Sequence, residues 1–219
     1  LVLGGARVLD DVTLHIPAGQ TVAFVGATGS GKTLLLNLLA RVYDVTEGAV
    51  RIGGHDVREY DLDSLRGAIA YVPQVTFLFS ETLAANIRMG VEDLNEESLA
   101  WSADMSRLAG DLPQMPHGLD TMVGERGVMV SGGQRQRISI ARALGRDAQI
   151  LVLDDALSSV DMHTSADILV NLRSVLRERT SLIVAHRIAT VKDAGWTVVM
   201  EDGRIVEQGT HSELIARGG

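Results

Sequence analysis

The chain has no cysteine, no long apolar run and no excess of basic residues. Without cysteine it can form neither disulfides nor thiolate metal sites, which fits a reducing compartment. Its apolar runs are far shorter than the roughly 20 residues that cross a bilayer. The formal net charge of −8 argues against a nucleic-acid-binding protein, because such proteins usually present a basic surface. It does not exclude a nucleotide, which a few local groups can hold.

The 219 residues are enough for one sizeable domain or for a domain with a lobe. The first residue is Leu rather than Met, and the chain starts almost inside a strand-like segment. We therefore expect a piece of a longer protein.

Short apolar runs of strand composition alternate with helical patterns along the chain. Runs without polar alternation are typical of strands that are covered on both faces, as in a parallel sheet. The strand-like runs lie at 21–25, 49–52, 69–72, 150–153, 181–185 and 196–200, and the helical patterns lie at 32–42, 133–144 and 162–178. This order predicts an α/β fold with a mainly parallel sheet. The segment from about 83 to 127 has helical pieces and no convincing strand, so we predict a helical subdomain within one domain whose core is 1–82 and 128–219.

Residues 26–33, GATGSGKT, follow the strand-like run 21–25 and open the helical pattern 32–42. They match G-x-x-x-x-G-K-[ST] in the strand–loop–helix order that this phosphate-binding motif requires. Glycines let backbone N–H groups face phosphate oxygens, and the helix N-terminus adds its positive dipole end. Lys32 offers a charge to the β- and γ-phosphates, and Thr33 offers a hydroxyl to Mg²⁺. The predicted nucleotide-binding residues are Gly26, Ala27, Thr28, Gly29, Ser30, Gly31, Lys32 and Thr33.

Two adjacent acids, Asp154 and Asp155, end the apolar run 150–153. Ligands of open α/β sheets sit beyond the carboxyl ends of the strands. With a phosphate-binding loop in the same chain, Asp154 is the predicted Mg²⁺ partner beside Thr33. Taken alone, the two acids would be a turn and a helix N-cap.

A second glycine motif, residues 131–134, precedes the helical pattern that continues to 144. Ser131 and Gln134 fit a capping box, which explains both residues but not Gly132 and Gly133. Each glycine costs a helix up to about 1 kcal/mol relative to Ala, so two in the first turn need a reason. Bare N–H groups that an anion can approach closely would be one. Because the chain's own phosphate loop is complete, we expect the phosphate bound there to belong to another chain.

At this point the sequence resembles the nucleotide-binding domain of ATP-binding cassette (ABC) transporters. Ser131, Gly132, Gly133 and Gln134 look like the signature motif, with Val130 where Leu is usual. Gln74 looks like the Q-loop glutamine, residues 121–127 are similar to the X-loop of exporter-type members, residues 158–161 look like the D-loop, and His186 looks like the switch histidine.

The resemblance implies a P-loop NTPase core, an antiparallel β region near the N-terminus and a helical subdomain. It implies ATP as substrate with Mg²⁺, and it adds Gln74 and His186 to the nucleotide-binding and catalytic residues, with Gln74 also at the metal. The D-loop residues are Ser159 and Asp161. The implied partners are a second nucleotide-binding domain and the transmembrane domain of the same transporter, at the cytoplasmic face of the membrane.

The chain departs from the family at Asp155, where active members carry Glu as the general base. Asp is one methylene shorter, so its carboxylate is withdrawn by roughly 1.5 Å. A misplacement of about 1 Å can cost on the order of 100-fold in rate. The adenine-stacking aromatic of the family falls near Val2 or Leu3, so it is either missing or lies before residue 1.

A chain with a weakened base and an intact signature motif matches one half of a heterodimeric exporter, whose partner carries the catalytic Glu. Three alternatives stay open. The first is a homodimer in which Asp155 supports slow hydrolysis, the second is a soluble ABC ATPase without a membrane partner, and the third is a nucleotide sensor without turnover.

Overall fold

The structure is a computed structural model that describes residues 1–91, 93–124, 127–185, 191–192 and 194–218. The chain divides into two compact units. The first unit comprises Leu1–Ile69, Ala148–Asp154 and Arg177–Gly219, and the second comprises Ala70–Asp147 and Asp155–Leu176.

The described residues form short strands, α-helices and 3-10 helices. The strands are β1 Val2–Leu3, β2 Ala6–Arg7, β3 Thr21–Val25, β4 Arg51–Ile52, β5 His55–Asp56, β6 Ile69–Val72, β7 Ile150–Asp154, β8 Thr180–Val184, β9 Trp196–Glu201 and β10 Arg204–Gly209. The helices are α1 Lys32–Leu39, α2 Leu62–Gly67, α3 Leu83–Arg88, α4 Glu96–Met105, α5 Gly132–Gly145, α6 Met162–Glu178 and α7 His211–Arg217. Short 3-10 helices lie at Val57–Glu59, Leu108–Gln114 and Gly118–Asp120.

The first unit is built on a sheet in which β10, β9, β3, β8 and β7 are neighbours in that order. Strand β3 runs parallel to both β8 and β9, strand β7 runs parallel to β8, and β10 is antiparallel to β9. Val22, Ala23 and Phe24 of β3 are fully buried, because the central strand is covered on both faces. The predicted α/β class with a mainly parallel sheet is confirmed.

Two small antiparallel pairs, β1–β2 and β4–β5, lie in the first 56 residues. They confirm the expected antiparallel region near the N-terminus. The predicted strand 49–52 is shorter in the structure, where only Arg51 and Ile52 pair with β5.

The second unit has its core among helices α3, α4 and α5. Leu83, Ile87, Leu99, Leu108 and Ile138 are each at most 1% exposed, so apolar burial holds these helices together. Between 83 and 127 the described residues contain helices and only isolated β-bridges. This agrees with the helical content that we expected there, and the subdomain boundaries stay a prediction.

Among the described residues, no helix combines the length and apolarity that crossing a bilayer demands.

Candidate nucleotide-binding site

The loop 26–33 connects the end of β3 to the start of α1 in the first unit. Gly26 has a φ of 144°, and a Cβ atom at this position would overlap the carbonyl oxygen of Met200 in β9. Only glycine lets the chain leave the strand this close to its neighbour. Further on, the Ser30 amide donates to the Ala27 carbonyl oxygen at 3.1 Å, which closes a tight turn.

Helix α1 begins without a capping side chain. Its N-cap is Gly31, which has a left-handed φ of 99°. Glycine has no side chain, so no side-chain hydrogen bond reaches the first turn. The N-cap side chain therefore does not occupy this helix start, and the helix dipole favours a negatively charged acceptor there. This is the backbone arrangement that the motif predicted for a phosphate site.

Lys32 lies inside the loop and is only 6% exposed. Its Nζ donates to the carbonyl oxygens of Gly26 and Ala27, both at 2.8 Å, and to the Ser30 Oγ at 3.2 Å. The loop thus wraps around the ammonium group and fixes a positive charge at its centre. An anion bound by the loop would meet this charge at close range.

Thr33 and Asp154 meet although they are far apart in the sequence. The Thr33 Oγ1 donates to the Asp154 Oδ1 at 3.0 Å, and Asp154 is 1% exposed at the end of β7. Helix α1 packs against β7 and β8, which brings the hydroxyl to the carboxylate.

Both groups are oxygen donors of the type that Mg²⁺ prefers, and Mg²⁺ takes its remaining ligands from water and substrate phosphates. The pair therefore fits the metal predicted from the sequence. The described residues hold no cluster of three or more His, Asp or Glu side chains that could bind a metal by themselves.

Gln74 and Asp155 come together in the second unit. The Gln74 Nε2 lies 3.4 Å from the Asp155 Oδ2, and the Gln74 side chain is exposed beyond the end of β6. Asp155 adopts a left-handed φ of 50°, a conformation that Asp and Asn tolerate better than most residues. Two of the predicted catalytic residues are therefore neighbours.

The predicted capping box at the start of α5 is present. The Gln134 amide donates to the Ser131 Oγ at 3.2 Å, and the Ser131 amide donates to the Gln134 Oε1 at 2.9 Å. Gly133 has a packing role that the sequence did not reveal, because Ser159 of the same chain lies against it. A Cβ at Gly133 would stand 3.0 Å from the Ser159 carbonyl oxygen, whereas one at Gly132 would make an ordinary contact of 3.4 Å with the Ser159 Cβ.

Sequence reasoning missed Gln136, which is 3% exposed on α5. Its Nε2 donates to the Ser158 Oγ at 2.8 Å and approaches the Asp155 carbonyl oxygen at 3.4 Å, and its Oε1 accepts from the Ser159 amide at 2.7 Å. The signal was present in the sequence: Gln136 shares a helical face with buried Ile140 and Ala143, so a polar residue on an apolar face needed partners.

The carboxylate of Asp161 is engaged at the start of its own helix, α6. The Thr164 amide donates to the Asp161 Oδ1 at 2.9 Å. This hydrogen bond, with help from the Thr164 hydroxyl, holds the pKa of Asp161 below its ordinary value of 3.8. Of the predicted D-loop pair, Ser159 contacts α5 and Asp161 caps α6.

A cavity of about 460 Å³ lies in the second unit near Gln74. Its lining includes Phe77 and Met129, which are 65% and 87% exposed, and Phe77 packs edge to face against Phe79. The Arg142 guanidinium of α5 contacts the segment at Phe77 and helix α3. It donates to the Asn86 carbonyl oxygen at 2.7 Å and to the Phe77 carbonyl oxygen at 3.4 Å. Burial lowers the pKa of Arg142.

The predicted switch histidine, His186, lies outside the described residues, as do Glu125 and Arg126 of the X-loop-like segment.

Comparison with known proteins agrees with this geometry. The family model described as ABC transporter matches residues 9–158. The ATP-dependent lipid A-core flippases of Photorhabdus laumondii and Salmonella typhimurium are 47% and 48% identical to the chain over 212 residues, which are 96% of this chain and 36% of each relative.

Among solved structures, a bacterial Atm1-family ABC exporter with ATP bound is similar, with a TM-score of 0.93 and 38% identity. That likeness covers 99% of this chain and 38% of the exporter chain. The chain thus spans little more than a third of the length of these relatives. A family match over more than half of the chain, in the region that holds the phosphate loop, Asp154 and the helix at Ser131, shows that the chain belongs to the ABC transporter family.

Proposed function

We propose that the chain binds and hydrolyses ATP and thereby powers transport by an exporter-type ABC transporter. The observation that carries this proposal is the loop 26–33, which surrounds the Lys32 ammonium and leads into a helix start without a capping side chain. A triphosphate satisfies both features, because its oxygens can accept from the helix N–H groups and pair with the ammonium.

The remaining groups fit the chemistry of phosphoryl transfer. Thr33 and Asp154 would hold Mg²⁺, which neutralises charge on the phosphates when it is bound. Gln74 is proposed as a further ligand and Asp155 as the base that orients the attacking water. His186 is proposed to contact the terminal phosphate. Gly29 and Gly31, with Ala27, Thr28 and Ser30, complete the nucleotide loop.

We further propose that ATP is held between two nucleotide-binding domains, with Ser131, Gly132, Gly133 and Gln134 of one chain facing the nucleotide of the other. The N-terminus of a 14-residue helix favours a phosphate group. The chain's own site would hydrolyse slowly because Asp155 is short, and its partner would be a different chain that carries the longer Glu. The second candidate is a homodimer in which Asp155 acts slowly at both sites, and the contact between Gln74 and Asp155 keeps that candidate open.

The other proposed partner is the transmembrane domain of the same transporter. The exporters and flippases that the chain resembles are more than twice its length, since the match spans 36–38% of theirs. In the second unit, Val75, Phe77 and Met129 expose apolar side chains around the cavity beside Gln74, which is a surface typical of a protein contact. We place the domain at the cytoplasmic face of the membrane, with this surface toward the membrane part. The same relatives favour a transporter over a soluble ABC ATPase.

Calorimetry with ATP and Mg²⁺ tests the binding proposal. We expect Lys32→Ala to weaken ATP binding by about 10-fold or more, since a charge-assisted contact is worth roughly 1.5–3 kcal/mol. Lys192→Ala is the matched control, because Lys192 is the chain's other lysine. Equal ATP affinity in the two variants would overturn the assignment of the loop.

A further inference from the structure

We propose that Gln136 is a positioning residue for ATP turnover: it ties the Ser158–Ser159 turn to the first turns of α5, so that both face a second chain's nucleotide as one surface. This inference rests on the proposed function and adds to it a residue that lies outside the motif 131–134. It concerns only groups within the second unit.

The amide of Gln136 uses both its ends. The Nε2 donates to the Ser158 Oγ at 2.8 Å, and the Oε1 accepts from the Ser159 amide at 2.7 Å. The Ser158 Oγ itself donates to the Asp155 carbonyl oxygen at 2.9 Å. One side chain therefore connects α5 to the turn that starts at Asp155 and ends in the D-loop.

The close approach of the two elements is also visible in their packing. The Ser159 carbonyl oxygen would lie 3.0 Å from a Cβ at position 133, which is tighter than ordinary contact. Glycine at this position lets the turn lie directly on α5, and the Gln136 amide then fixes it there.

Exposure separates a positioning role from a purely structural one. Gln136 is 3% exposed, whereas Ser158 and Ser159 are exposed to solvent. If the Gln136 amide is removed, water can reach the groups at Ser158 and Ser159, so their hydrogen bonds are replaced rather than lost. What disappears is the fixed position of the turn on the helix, and a displacement of about 1 Å in such a position can cost up to 100-fold in rate.

The test compares Gln136→Met with Gln149→Met in the 219-residue chain. Methionine keeps the length of the side chain and removes its amide, and Gln149 has an exposed side chain on which the same change is made. Three quantities are measured for each variant: the hydrogen exchange rate of the Ser159 amide, the ATP affinity by calorimetry, and kcat and KM for ATP hydrolysis.

We expect Gln136→Met to speed exchange at Ser159 and to lower kcat about 10- to 100-fold, with ATP affinity within about twofold of the unmodified chain. Gln149→Met should leave all three quantities unchanged. Gln136→Glu, which keeps an acceptor for the Ser159 amide, should retain slow exchange there and recover part of kcat. If Gln136→Met does not fold, Gln136→Glu is compared with the unmodified chain instead. The kcat of Gln136→Glu must then be lower than that of the unmodified chain.

An unchanged kcat in folded Gln136→Met would overturn the inference while leaving the proposed function intact. Parallel losses of ATP affinity and kcat would also overturn it, because they indicate general damage to the fold. Failure of the unmodified chain to bind ATP would instead refute the proposed function.

Discussion

Gly26→Ala probes how the phosphate loop leaves the sheet. The φ of Gly26 is 144°, and a methyl group there would overlap the Met200 carbonyl oxygen of β9. The backbone conformation costs about 1–3 kcal/mol for a residue other than glycine. Relief of the overlap requires the loop and β9 to separate by about 1 Å, and overpacking of this kind adds about 1–3 kcal/mol.

Gly29→Ala is the matched comparison in the same loop. Its φ of 87° is also left-handed, but no atom lies within 4 Å of the position that a Cβ would take. Only the backbone term remains, and it amounts to about 1–2 kcal/mol. Both substitutions reduce the conformational entropy of the unfolded chain equally, and both place alanine at a positive φ. They differ in the space around the new methyl group.

Urea unfolding monitored by circular dichroism measures both variants. We expect Gly26→Ala to lower the free energy of unfolding by about 2–6 kcal/mol, which is a large part of the roughly 5–15 kcal/mol of an ordinary domain. It should also weaken ATP binding, since the loop must move to admit the methyl group. Equal destabilisation by the two substitutions would refute the argument that contact with β9 shapes the loop.

Two further predictions concern the second unit. Asp155→Glu should raise hydrolysis at the chain's own site because the carboxylate reaches further, and Asp155→Asn should change the turnover of the assembled pair little; loss of all ATPase activity in Asp155→Asn would favour the homodimer. Asp161 should titrate below pH 3.8 in the folded chain, as followed by NMR of its carboxyl carbon. Because the folded pKa of Asp161 is lowered, its contribution to the free energy of unfolding is present above the unfolded pKa and is lost as pH falls through the folded pKa. Asp161→Asn should abolish this part of the pH dependence of stability.

The sequence predicted the central strands and the longest helices well, because their apolar content is high and continuous. The bounds of β6 and α6 agree residue for residue with the predicted runs 69–72 and 162–178. It did not predict β10 or the short helix α2. The residues of β10 are largely exposed, so the apolar signal is weak, and α2 has only six residues with one buried leucine, Leu65.

The phosphate loop was predictable for a different reason: the spacing of its glycines, Lys32 and Thr33 is specific to one backbone conformation. The long-range partners were not, because nothing local indicates that Gly26 lies against Met200 or that Ser159 lies on Gly133. The glycines of the signature motif illustrate the difference. We explained them by an anion, and the structure shows that the D-loop of the same chain is a second reason for Gly133.

The central claim is that each ATP is held by the phosphate loop of one chain and the Ser131 helix of another. Mixing two defective variants, Lys32→Ala and Gly132→Asp, tests it by analytical ultracentrifugation with ATP and Mg²⁺. A Cβ at position 132 makes only an ordinary contact, so Gly132→Asp should fold while its carboxylate repels a phosphate.

Each variant alone should stay monomeric, since every site of its dimer would be broken. The mixture should form ATP-dependent dimers, because the mixed pair contains one site with an intact loop and an intact helix start. A mixture that stays monomeric under conditions in which the unmodified chain dimerises with ATP would contradict the two-chain site.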